Sequence, residues 1–373
     1  DMPRHAIETG CVDRVLTPGE IAHELVRLSG QGSLSTPASG VVTSGDDAFL
    51  KTILQRLRAA HRLDFTHYKR STLRRRLERR MMLRGIKSLE EYCTVIDGDP
   101  EEMAALYQDF LIRVTEFFRD SDSFQALRQE VFPALRERRN ASQPIRIWVP
   151  GCATGEEVYS IGIELLESLG DRISPNEVQI FGTDVSEVAL ERARAGAYLA
   201  NVLRDVSSER LQRFFERHDN GFRIVKAIRD LCIFARQDVT NDPPFSHLDL
   251  ISCRNLLIYL DEVAQRRIVQ AFHFALEPQG VLMIGPAESI AQSSELFEQV
   301  DKRFRIYRRR PGSGLGTVGQ YRGGPRPAAL ASSEGDLPLR VEAESLSREA
   351  DRWLLSRYAP ASLVLDVALN IRQ

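Results

Sequence analysis

From residue 145 onward, apolar runs of strand length alternate with stretches of helical period, and this alternation limits the fold more than any other feature. Runs at 145–149, 178–181, 231–234, 248–251 and 281–284 read as strands. Helical patterns at 156–169, 185–195 and 263–276 separate several of them. Such alternation needs crossover connections, which give a largely parallel sheet covered by helices. The last pair of runs, 296–300 and 304–308, is joined by Asp301-Lys302-Arg303 and reads as an antiparallel hairpin at the sheet edge. Ahead of the region 115–140 the pattern is helical alone: Phe49, Ile53, Leu54 and Leu57 recur at the helix period, as do Leu106, Phe110 and Leu111.

A chain of 373 residues has room for two or three domains. Residues 30–45 and 311–344 are rich in Gly, Ser, Thr or Pro and read as linkers, because they hold too little apolar surface to offset chain entropy. They bracket a block made of a helical part, 46–115, and an α/β part, 116–310. With 43% hydrophobic and 27% charged residues that block can bury a sizeable core. A net charge of -2 excludes a chain that binds nucleic acid through overall charge. The five cysteines have no metal or disulfide spacing, which fits reduced thiols in a cytoplasmic protein. No apolar run approaches the roughly 20 residues of a membrane span, so no membrane insertion is expected.

Polar residues gather where the strands end, the edge at which ligands bind such sheets. The first strand runs into Gly151-Cys152-Ala153-Thr154-Gly155-Glu156-Glu157. Glycines there allow close backbone approach to a ligand. The two carboxylates would repel phosphates and suit an ammonium group, such as the amino-acid end of S-adenosylmethionine. Taken alone, the loop is also compatible with an ordinary strand-to-helix turn. The second strand ends in Gly182-Thr183-Asp184, an acid suited to ribose hydroxyls, and the third is followed by Gln237-Asp238-Val239. The fourth gives Ser252-Cys253-Arg254-Asn255, with Tyr259 soon after. Tyr259 is readable either as a site residue or as a core residue with a satisfied hydroxyl.

Taken with Thr115-Glu116-Phe117-Phe118-Arg119, these segments resemble, in residue and in order, the signature set of CheR-type chemotaxis receptor methyltransferases. The resemblance covers about residues 46–310. It implies a small all-helical domain, then a class I, Rossmann-like methyltransferase domain with an inserted β-subdomain at 203–235. It implies S-adenosyl-L-methionine as cofactor, S-adenosyl-L-homocysteine as product, glutamate side chains of another protein as methyl acceptors, and no metal. Arg113, Thr115 and Arg119 are then expected on the cofactor, and Glu156 on its amino group. Asp184 falls to the ribose, Asp238 and Val239 to the adenine rim, and Arg254 and Asn255 line the site. Arg119 and Tyr259 are the expected catalytic pair, beside the reacting carboxylate and the methyl donor. Two positions depart from the family pattern: Arg113 stands where Asn is usual, and Val158 where Pro is usual.

The segment from Tyr68 to Met81 is densely basic, with Leu73, Leu77 and Met81 in an i, i+4, i+8 stripe. Its arginines, Arg70, Arg74, Arg75, Arg76, Arg79 and Arg80, read as a solvated face, a nucleic-acid face or, by the resemblance, the surface that meets acidic helices of a chemoreceptor's cytoplasmic domain. No aromatic stacking set accompanies it, so nucleic acid is not an expected partner. The hairpin turn expected in the β-subdomain, His218-Asp219-Asn220-Gly221, is short, so recognition is expected to rest on the basic helix rather than on a receptor tether peptide. Residues 1–29 resemble the end of a CheB-type methylesterase and 345–373 the start of a PAS-type domain, which together suggest a fusion with other chemosensory signalling proteins as partners. The rival functions are a non-catalytic S-adenosylmethionine sensor and an RNA methyltransferase.

Overall fold

The computed structural model describes residues 15–30, 44–111, 115–138, 144–170 and 177–311. The chain separates into two compact units between Ile112 and Arg113. Most of the two linker stretches, the PAS-like segment and residues 1–14 of the methylesterase-like segment lie outside the described residues.

The first unit holds α1 (Pro18–Gly30), α2 (Ser44–His61), α3 (Arg70–Arg84), α4 (Leu89–Gly98) and α5 (Pro100–Phe110). Helix α2 opens inside the stretch read as a linker, where Asp47 in its first turn favours a helix start. Ser88 caps α4 by accepting from the Glu91 amide, and Asp99 caps α5 by accepting from the Glu102 amide, with Pro100 as its first residue. Gly85, at φ 72°, ends α3 in the left-handed conformation open to glycine. The stripe Leu73, Leu77 and Met81 is buried, as its period predicts. It packs in a core with Ile53, Leu57, Phe65, Tyr92 and Phe110. At the edge of that core the carboxylate of Glu102, 2% exposed, accepts from Arg80 Nε at 3.0 Å, Arg80 Nη2 at 2.6 Å and the Tyr92 hydroxyl at 2.6 Å. Burial and this anion push the Tyr92 phenol above its ordinary value.

The second unit begins with α6 (Ser121–Ala126), which passes through a π-helical turn, Leu127–Val131, into α7 (Phe132–Arg138). Its seven-stranded sheet has the order β6-β2-β1-β7-β8-β10-β9. The strands are β1 (Ile145–Pro150), β2 (Val178–Asp184), β6 (Cys232–Arg236), β7 (Leu248–Cys253), β8 (Leu276–Ile284), β9 (Phe297–Asp301) and β10 (Ile306–Arg309). The pairs β1–β2, β1–β7, β2–β6 and β7–β8 are parallel, and β10 runs antiparallel to both β8 and β9. This is the largely parallel sheet with an antiparallel edge hairpin expected from the apolar pattern, and the Rossmann-like sheet that the resemblance implies. Helices α8 (Glu156–Leu169), α9 (Glu187–Ala195) and α12 (Glu262–Ala275) are the crossovers. Strand β8 starts five residues before the run 281–284 that marks it, at Leu276. Pro278 disfavours helix at the residue before it, so the chain leaves α12 and is already extended there.

A second sheet, antiparallel in the order β3-β5-β4, is inserted between α9 and β6. It comprises β3 (Ala197–Leu199), β4 (Phe215–His218) and β5 (Gly221–Ile224), with the short helices α10 (Ser208–Phe214) and α11 (Lys226–Arg229). It begins at Ala197 rather than at residue 203, because β3, too short to show a period, pairs with β5. The hairpin turn falls on Asp219 and Asn220 as expected, with Asp219 at φ 46°. Gly221 must lack a side chain: a Cβ there would stand 2.3 Å from the Tyr198 carbonyl oxygen.

Candidate active site

The strand order reverses between β2 and β7, on either side of β1, and in open sheets of this kind ligands bind at that point, beyond the carboxyl ends of the strands. The loop from β1 to α8 is shaped by Gly151 at φ 70°, Ala153 at φ 47° and Gly155 at φ 94°. Gly155 also sits where a Cβ would come within 2.9 Å of the Ala193 Cβ. Asp184, the last residue of β2, ties this loop down: its Oδ2 accepts from the Ala153 amide at 2.9 Å and its Oδ1 from the Ser186 amide at 2.8 Å.

Glu156, the first residue of α8, is 4% exposed. The Thr154 hydroxyl donates to its two oxygens at 2.8 and 2.7 Å, and Thr115 stands near enough to pull its carboxyl down. Burial nonetheless pushes its carboxyl above the ordinary value. Its neighbour Glu157 is raised by burial too, against the pull of Arg254, the Ser252 hydroxyl at 2.6 Å and the more distant Arg119. A bound cation would stabilise both carboxylates in their ionised form.

Arg119 stands between two left-handed residues, Phe118 at φ 52° and Asp120 at φ 57°. Arg254 braces this segment. Its side chain is 1% exposed, and Nη2 donates to the Arg119 carbonyl at 2.7 Å and to Asp120 Oδ2 at 2.6 Å. Nη1 lies 3.6 Å from Glu157 Oε2, and the guanidinium carbon is 5.2 Å from the centre of the Phe124 ring. Nη2 is thus committed to the Arg119 segment, while Nη1, ion-paired with Glu157, and Nε are buried without a hydrogen bond. Asn255 follows at φ 59°. Its amide donates to Glu288 Oε2 at 3.0 Å, and the same carboxylate accepts from Gly285 at 2.7 Å and Ile258 at 3.3 Å. Glu288 therefore shapes the loop that carries Asn255 and Tyr259. Tyr259 ends a turn of 3-10 helix and is half-buried, so it is no core residue.

The expected residues thus fall into one neighbourhood for Thr115 with Glu156, and for Arg119 with Glu157 and Arg254. Asp238 lies at the next strand end, where the Gln237 amide meets the Asp184 carbonyl at 3.1 Å. Its carboxylate accepts from the Thr240 amide and hydroxyl and from Asn241 Nδ2, which closes the loop that holds Val239. Arg113 lies outside the described residues. Glu157 was visible in sequence only as one of two adjacent acids, and Glu288 was not singled out at all. The signal for Glu288 was an acid just past the glycine that ends an apolar strand.

The arginines of α3 belong to the other unit. Arg80 is 17% exposed and committed to Glu102, so it serves the packing of that unit. Arg70 pairs with Asp47 at 2.7 Å, Arg74 with Glu78 at 3.6 Å and Arg79 with Asp109 at 3.8 Å. Arg75 is exposed and Arg76 half-buried.

Two family models match adjoining stretches, one in each unit. The CheR methyltransferase all-alpha domain matches residues 48–111, and the CheR methyltransferase SAM binding domain matches residues 113–306. This chain belongs to the CheR methyltransferase family. It is 31% identical over 247 residues to chemotaxis protein methyltransferase 2 of Vibrio cholerae, covering 65% of this chain and 84% of that protein. It is 33% identical to chemotaxis protein methyltransferase 2 of Pseudomonas aeruginosa, over 60% of this chain and 80% of that one. An uncharacterized 104.1 kDa protein of Rhodobacter capsulatus is 34% identical over 84% of this chain, which spans 35% of that longer protein. As a CheR protein the chain is an S-adenosylmethionine-dependent methyltransferase, and S-adenosylmethionine is its cofactor. Among the described residues no helix is long and apolar enough to cross a membrane.

Proposed function

We propose that this CheR protein methylates glutamate side chains in the cytoplasmic domains of chemoreceptors, giving glutamate methyl esters in chemosensory adaptation. The observation that carries the reading is the pairing of two opposite devices at one edge of the sheet. Buried carboxylates with raised pKa, Glu156 and Glu157, suit a cationic cofactor, while Arg119, set between two left-handed residues, suits a carboxylate acceptor. Bound there, S-adenosylmethionine supplies an electrophilic methyl group to the acceptor carboxylate and leaves with neutral sulfur.

In this reading Glu156, helped by Thr115 and Thr154, holds the cofactor's amino group. Asp184 takes the ribose, and Asp238, Val239 and Asn255 shape the remaining rim, with Arg113 completing it. Arg254 acts through Arg119 and Asp120. Arg119 orients the acceptor without neutralising it, and Tyr259 closes on the methyl donor, so that catalysis is mostly placement of two reactants. The exposed side of α3, with Arg75 foremost, meets the acidic receptor helices and makes a tether peptide unnecessary. The names of the Vibrio and Pseudomonas relatives support a chemotaxis setting. The same reading places the enzyme in the cytoplasm, between a CheB-type and a PAS-type region, with other chemosensory signalling proteins as partners.

The test is incubation with labelled cofactor and receptor cytoplasmic fragments. Base-labile label on the fragment is expected. Cofactor binding without transfer to any fragment would favour a sensor, and base-stable label on RNA would replace the protein acceptor.

A further inference from the structure

The two phenylalanines that precede Arg119 are both held by the inserted β-subdomain. The Phe117 ring meets Tyr198 of β3 edge-on at 4.9 Å and Phe215 of β4 at 5.5 Å. The Phe118 ring lies under the guanidinium of Arg210, 4.2 Å from the ring centre. Arg210 belongs to α10 and is fixed in orientation. Its Nε donates to Glu167 Oε1 at 2.9 Å, and its Nη2 donates to Glu164 Oε1 at 2.6 Å and Glu167 Oε2 at 2.7 Å. Both acids lie on α8, the helix whose first turn carries Glu156 and Glu157. Arg128 completes a balanced quartet, 3.0 Å from Glu167 and 3.6 Å from Glu164.

A planar guanidinium can fork to carboxylates with its edge and stack on a ring with its face at the same time; an ammonium cannot. What Arg210 stacks on is a bulky residue at φ 52°, a conformation that persists only when its surroundings over-determine it. The Phe118 amide adds a second restraint by donating to Ser160 Oγ at 3.0 Å. With Arg254 gripping the Arg119 carbonyl, the segment is held on both sides of the residue it presents.

We propose that Arg210 is a positioning residue for Arg119: its guanidinium locks Phe118 in the left-handed conformation and so fixes where the Arg119 side chain starts. The inserted subdomain is then a brace for the catalytic segment. The proposal rests on the methyl-transfer reading above for its kinetic arm only.

Two variants test it in the full chain. Arg210→Lys keeps the charge and loses the plane, and Phe118→Leu removes the ring and leaves the ionic quartet intact. Amide hydrogen exchange is measured across 115–120 and across β1 and β7, together with turnover on a receptor fragment and cofactor Kd. Each variant is also built in an Arg119→Ala background. We expect exchange at the Phe118 amide to rise about tenfold or more while β1 and β7 stay protected. Turnover should fall roughly 10- to 100-fold. Cofactor Kd should stay within about threefold, and neither variant should lower the activity of Arg119→Ala further. Unchanged exchange at Phe118 would overturn the proposal, as would equal losses of turnover with and without Arg119. If Arg210→Lys does not fold, Phe118→Leu alone decides. If the wild-type protein methylates no receptor fragment, the receptor reading fails and exchange at Phe118 still decides the role of Arg210.

Discussion

Arg254 and Asp120 meet at 2.6 Å although 134 residues separate them, and this pair joins the end of β7 to the segment that presents Arg119. Arg254→Ala would leave Asp120 and Glu157 without their shared cation. The expected loss is about 1–2 kcal/mol of stability, since Asp120 is exposed and Glu157 keeps the Ser252 hydroxyl. Arg254→Lys should recover much of that loss but little turnover, because a single ammonium nitrogen cannot sit on the Arg119 segment and beside Glu157 at once. Urea unfolding and a methyl-transfer assay read the two effects separately.

Asp184 bonds two loop amides and is proposed to hold the ribose. Asp184→Ala should weaken cofactor binding roughly 10- to 100-fold, the worth of a hydrogen bond to a charged group. Calorimetry giving wild-type affinity for this variant would remove Asp184 from the cofactor site.

Burial raises Glu156 and Glu157 above their ordinary 4.5. A carboxyl raised in the folded state adds stability below pH 4.5 and loses that contribution as pH rises through its folded value. The cofactor-free protein should therefore lose stability from acid toward neutral pH. A cationic cofactor reverses the shift, so its affinity should rise over the same window and its binding should release protons. Titration in buffers of different ionisation enthalpy measures that release, and Glu156→Gln should reduce it. Affinity that is flat with pH would mean that neither carboxylate faces the cation.

On α3, Arg75 and Arg80 should behave differently. Arg75→Glu reverses an exposed charge and should cut methylation of a receptor fragment severalfold, with the difference shrinking as salt is raised. Arg80→Ala should instead destabilise the helical unit by about 1–2 kcal/mol, because Glu102, 2% exposed, loses its fork but keeps Arg84 at 3.0 Å and the Tyr92 hydroxyl. A receptor fragment whose methylation needs its extreme C-terminal peptide would defeat the tether-free reading.

The sheet was legible because its strands carry apolar runs and its helices a 3.6 period, both of which are local. The supports of the site are not. Glu288 serves amides 30 and 33 residues earlier in the chain, and Glu157 meets Ser252 across 95 residues. No window of sequence reports such pairs. Arg80 reads as one more surface charge until the fold brings Glu102, 22 residues on, beneath it. Strand β3 was missed for a different reason: three residues are too few to show an alternation, and its pairing with β5 decides its conformation.

The segment presenting Arg119 is held by Ser160, which is 42 residues from its partner, and by Arg254, 135 residues from the carbonyl it grips. A growing or refolding chain therefore cannot set Arg119 until β7 has joined β1 and the loop beyond it has closed. Long-range contacts of this kind form slowly. Methyl transfer should recover later in refolding than helical circular dichroism does, and a chain stopped before residue 254 should have no activity however well its first strands are formed.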